Sequence, residues 1–68
     1  MKTAHFLLRQ LQRNLSEGEI VRELPTDKAN YKLKLRGKEY KVHVLHNNGT
    51  QTIETRGGKE ERKITIYK

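Results

Sequence analysis

The sequence has no cysteine and no tryptophan, and only one proline, one methionine and one phenylalanine. Without cysteine, disulfides and thiolate metal sites are excluded, and the redox compartment stays open. Aromatic residues make up 6% of the 68 residues. No aromatic motif of the kind that stacks RNA bases is present, nor zinc-finger spacing, a KH loop or a basic zipper. No apolar run approaches the ~18–20 residues of a membrane span, and the N-terminus has no signal-peptide apolar region, so a soluble, cytoplasmic protein is expected. Catalytic constellations are also missing. Ser16 is the only serine and Asp27 the only aspartate, and His5, His43 and His46 show no metal-ligand spacing with a carboxylate. No enzyme, no cofactor and no metal site is expected from such a chain.

What is abundant is positive charge. Fifteen Lys and Arg stand against eight Asp and Glu, a net +7 with a pI near 10.0. Residues 1–14 carry Lys2, Arg9 and Arg13 and no acid; residues 28–45 carry six basic residues against Glu39 alone. Uneven basic charge is the footprint of a polyanionic or acidic partner, although solubility alone also favours a net charge. One small domain over residues 1–68 is the expectation, with little room for a deep pocket.

The chain opens on a helical pattern. Ala4, Leu7, Leu8, Leu11 and Leu15 share one stripe of a 3.6-residue repeat, with Lys2, Arg9 and Arg13 opposite and Thr3 as N-cap. Phe6 falls off the stripe, among the basic positions. It either anchors a partner or is buried by a sheet that curls around the helix. Residues 16–24 support two readings: Ser16 and Glu19 form a capping box for a short helix, whereas Gly18 and Ile20-Val21 suit a strand. The strand over 19–24 is preferred, ended by Pro25.

From residue 30 the chain reads as an antiparallel meander with strands near 30–36, 39–46, 50–56 and 62–67. Gly37-Lys38 as a two-residue turn pairs Leu35 with Tyr40, Lys34 with Lys41, Leu33 with Val42 and Lys32 with His43. Asn48-Gly49 as a type I′ turn pairs Val44 with Ile53, His43 with Glu54 and Lys41 with Arg56. A four-residue loop, 57–60, then sets Ile53 against Ile64, Glu54 against Lys63 and Arg56 against Glu61. The fold expected is α+β: a single N-terminal helix packed on a four- to five-stranded antiparallel sheet.

In this register Lys32, Lys34, Arg36, Lys41, His43 and Arg56 share the outer sheet face. Like charges facing across a ladder destabilise it by a few tenths to about 1 kcal/mol, so their grouping suggests an anionic ligand. The competing explanation is a solvated lysine face that blocks aggregation. The candidate binding residues are those six, together with Lys2, Phe6, Arg9 and Arg13 on the helix. Nucleic-acid binding by such a face would be of the backbone-neutralising, non-specific kind.

The opening Met1-Lys2-Thr3-Ala4-His5-Phe6-Leu7-Leu8, then Gln10, Gln12 and Asn14, then Ser16-Glu17-Gly18-Glu19-Ile20, resembles the start of a group of short type I-F anti-CRISPR proteins. The resemblance covers about the first third of the chain. It implies a phage or mobile-element inhibitor acting in the bacterial cytoplasm. Its partner would be the backbone subunits and guide region of the crRNA-guided surveillance complex. There it would block hybridisation of target DNA, with a basic surface that also holds duplex DNA non-specifically. A monomer is expected. The alternative is a free-standing small basic nucleic-acid-binding protein.

Overall fold

Thr3 starts the first helix. In the computed structural model, which describes residues 1–68, its Oγ1 accepts a hydrogen bond from the Phe6 amide at 3.1 Å and donates to the Ile64 carbonyl at 2.9 Å. One side chain thus caps α1 (Ala4–Arg13) and ties it to the sheet. Asn14, in the left-handed region, ends the helix. The chain continues through β1 (Ile20–Pro25), α2 (Lys28–Leu35), β2 (Tyr40–His46), β3 (Gln51–Arg56) and β4 (Lys63–Tyr67). The four strands form one antiparallel sheet in the order β1-β2-β3-β4. The α+β class and a sheet of four strands are as expected, and a second helix joins the N-terminal one.

Residues 30–36, expected as a strand, form instead the rest of that second helix and its C-cap, Arg36. Asp27 Oδ1 accepts from the Asn30 amide at 2.8 Å, an N-cap bond. At the other end the Lys38 amide donates to the Leu33 carbonyl at 2.9 Å and the Gly37 amide to the Lys34 carbonyl at 3.1 Å. These two bonds are the Schellman pattern, which places Gly37 (φ +70) just past the helix end. The glycine read as a hairpin turn is a helix terminator. The strand pairing of Lys34 with Lys41 and of Lys32 with His43 does not exist.

The β2–β3 register differs from the expected one by a single residue. Val44 faces Thr52, His43 faces Ile53 and Val42 faces Glu54. The loop is three residues long: the His46 amide donates to the Thr50 carbonyl at 3.0 Å, and the Gly49 amide to the His46 carbonyl at 3.1 Å. Gly49 at φ +84 takes the left-handed position that such loops require. A one-residue slip turns every β3 side chain over. Ile53 therefore points outward, while Thr52 and Glu54 point into the core. Between β3 and β4 the expected pair Glu54–Lys63 is found, but a bulge then sets Ile53 against Thr65 and Gln51 against Tyr67.

The apolar core is small. Only Phe6, Val42, Val44 and Ile66 are buried hydrophobic residues. Phe6 is fully buried, so α1 packs on the sheet by the side opposite its leucine stripe; Leu7 and Leu8 are 50% exposed and Leu11 81%. His46, Thr50, Thr52, Glu54 and Thr55 fill the rest of the interior, and every buried side-chain polar atom has a partner. No helix is long and apolar enough to cross a membrane.

Candidate partner-binding surface

The exposed face of α2 gathers what the sheet does not. Lys28, Lys32 and Arg36 recur every four residues and stand above one another on that face, with Tyr31 and Leu35 beside them. All five are exposed, Tyr31 by 52% and Leu35 by 69%. Lys38, whose amide bonds the Leu33 carbonyl, and Lys41, whose amide bonds Asn30 Oδ1, are exposed as well. The opposite side of α2 is fixed to the scaffold. Asn30 Oδ1 accepts from the Lys41 amide at 2.8 Å, and Asn30 Nδ2 donates to Thr26 Oγ1 at 3.0 Å.

Helix electrostatics explain part of this charge. Lys32 and Lys34 lie in the last turn, where a cation complements the macrodipole. Lys28 lies in the first turn, where a cation is disfavoured, and no acid stands there to offset it. Like charges four residues apart cost a further few tenths of a kcal/mol per pair, about 0.2–0.5. Three aligned cations with one in the unfavourable first turn are what an anionic partner would stabilise.

The other predicted site residues scatter. Lys34 turns away from this face, its Nζ 5.9 Å from the centre of the Tyr40 ring. His43 stays on the outer sheet face, but away from Glu54: Nε2 lies 2.7 Å from Gln51 Oε1 and 2.9 Å from Tyr67 Oη. Arg56 lies opposite Tyr40 rather than Lys41 and turns to the inner face. Its Nη2 donates to Glu23 at 2.6 Å and its Nη1 to Glu54 at 3.0 Å, with Glu61 at 4.0 Å. Burial alone would lower the basicity of this guanidinium; the bonds to Glu23 and Glu54 override it and raise the pKa instead. A cation so engaged is not free for a phosphate. On α1, Lys2 sits 5.6 Å over the buried Phe6 ring, while Arg9 is half-buried and Arg13 exposed. Phe6, being buried, cannot touch a partner.

Sequence spacing also missed a cluster that the fold assembles. Ligand-type atoms of Glu17, His46 and Glu54 lie within 4.8 Å of one another. Each of the three already has partners within the fold. Lys63 Nζ donates to both Glu17 oxygens at 2.6 and 2.7 Å, and Arg56 holds Glu54. His46 Nδ1 lies 2.9 Å from the Gly18 carbonyl and Nε2 3.0 Å from Thr52 Oγ1. Of the cluster only Glu54 lines the open cleft of about 500 Å³ beside it, together with Glu23, Arg56 and Lys63 among others.

Compared with protein-family models, curated proteins and solved structures, the chain matches none. A functional reading therefore rests on the geometry of the surface and on the resemblance of residues 1–20.

Proposed function

We propose that the chain is a non-enzymatic binding protein whose outward α2 face docks on a nucleic-acid-bearing partner. The observation that carries this reading is the alignment of Lys28, Lys32 and Arg36 on an exposed helix face, beside Tyr31 and Leu35. Cations on successive turns of one helix face, with Cβ atoms about 5–6 Å apart, can neutralise phosphates, and an exposed aromatic adds a stacking or anchoring surface. Given the resemblance of Met1–Ile20, the specific partner proposed is a type I-F crRNA-guided surveillance complex. The chain would occupy its backbone subunits and block hybridisation of target DNA, with weak, non-specific hold on duplex DNA. Co-purification tests it: the tagged chain should capture the complex and prevent target binding, and absence of capture removes this partner.

The same face also suits a free-standing nucleic-acid binder. That protein would bind plain duplex DNA alone, its affinity falling with salt by a log–log slope of about −0.9 per phosphate neutralised.

A further inference from the structure

The leucine face of α1 is the largest departure from ordinary helix packing in this fold. Ala4, Leu7, Leu8 and Leu11 are all exposed, Leu11 most of all, because α1 is held to the sheet by Phe6 on its far side. We propose that this face is a homodimer contact, covered by α1 of a second copy of the chain.

Three observations select a second copy. First, the rim of the face carries no Lys, Arg, Asp or Glu: His5 and Gln12 flank it on one side, Gln10 and Asn14 on the other. Arg9 and Arg13 project from the Phe6 side of the helix, and Lys2 lies over the Phe6 ring. Two such faces meet without opposing like charges, whereas an acidic partner would find no cation at the rim. Second, the stripe has the three-and-four spacing of a two-helix seam. Third, an antiparallel pair with its two-fold axis between Leu7 and Leu8 sets Ala4 of one copy against Leu11 of the other. The small residue receives the most exposed large one. The pairing is isologous and closed, so it stops at two. A ten-residue helix is about 15 Å long, and the contact is smaller than the ~800 Å² per partner of a standard interface. The dimer is therefore weak and concentration-dependent, and α2 remains free in both states.

Sedimentation equilibrium of the full chain from about 10 μM to 1 mM tests this. The apparent mass should rise from 8.0 kDa towards twice that value, and Leu11→Glu should hold it at the monomer value with an unchanged circular dichroism spectrum. A chain that stays monomeric throughout, or a dimer that survives Leu11→Glu, overturns the proposal. Because the chain has no native cysteine, single-cysteine variants report the geometry without background. Leu8→Cys, beside the proposed axis, should form a disulfide-linked dimer on mild oxidation at high concentration, and Lys32→Cys on α2 should not. Equal cross-linking of the two variants contradicts the assigned face.

Discussion

Thr52 Oγ1 lies 2.6 Å from Glu54 Oε2, inside the sheet, and both residues are almost completely buried. A hydroxyl has one proton, and the short contact assigns it to the carboxylate. The hydroxyl oxygen also lies 3.0 Å from His46 Nε2. Thr52 thus links the only buried histidine to a buried carboxylate, in a core with only four buried hydrophobic residues. Thr52→Val keeps the shape and removes both contacts. It should lower unfolding stability by about 1–3 kcal/mol, the usual cost of stranding a buried polar group. Urea denaturation measures this, and an unchanged midpoint would show that the linkage carries no stability.

Phe6 and Leu11 should respond in opposite ways to what their sequence pattern implies. Phe6→Ala opens the centre of a small core and should cost about 3–5 kcal/mol, enough to unfold a domain of this size. Leu11→Gln, on the exposed stripe, should change stability by less than about 0.5 kcal/mol under dilute, monomeric conditions. Thermal melts of the two variants at low concentration distinguish them. Equal losses would mean that α1 packs by its leucines after all.

Asp27 gives the fold a local acid sensitivity. Its backbone bond from Asn30 is the largest cause holding the carboxyl below its ordinary value of 3.8, with the Asn30 side chain adding to it. A carboxyl depressed in the folded state contributes stability above its unfolded pKa and loses it as pH falls through the folded one. The α2 N-terminus should therefore fray only below about pH 3.8. In Asp27→Ala it should fray at every pH. Amide exchange at Asn30 and Tyr31 reports this directly, and protection equal to wild type at pH 7 in Asp27→Ala would contradict the cap's role.

Gly49 should resist substitution for a different reason. At φ +84 it sits where a side chain is strained, and Gly49→Ala should cost about 1–2 kcal/mol. The same substitution tests the three-residue loop, since the loop geometry depends on this residue. A neutral Gly49→Ala in chemical denaturation would point to another turn.

The physical reason for each mismatch between sequence and fold is local. The α1 cap at Thr3, the extended β1 and the paired β2, β3 and β4 segments were legible, because caps, β-branched runs and turn residues act within a few positions. The run Tyr31-Lys-Leu-Lys-Leu35 alternates like a strand, yet the same residues also make a helix face, and periodicity alone could not decide. Asp27 ahead of the run and Gly37 behind it were the deciding signals, an N-cap and a helix-ending glycine at helical separation. The β2–β3 register turned on one residue of loop length. That residue chose whether Ile53 or Glu54 entered the core. The charged residues follow these two differences: Lys32 and Arg36 lie on a helix face, and Arg56 lies in an ion-pair network with Glu23 and Glu54. The Glu17–His46–Glu54 cluster comes from three separate segments, and no spacing in the sequence announces it.

Partner binding through the outward face of α2 is tested by reversing the charge of that face. The triple variant Lys28→Glu, Lys32→Glu, Arg36→Glu alters only exposed positions, and circular dichroism should show an intact fold. Capture of the surveillance complex by the tagged variant, measured beside the wild-type chain at the same salt, should be lost. Undiminished capture by the folded variant would show that the α2 face is not the binding surface.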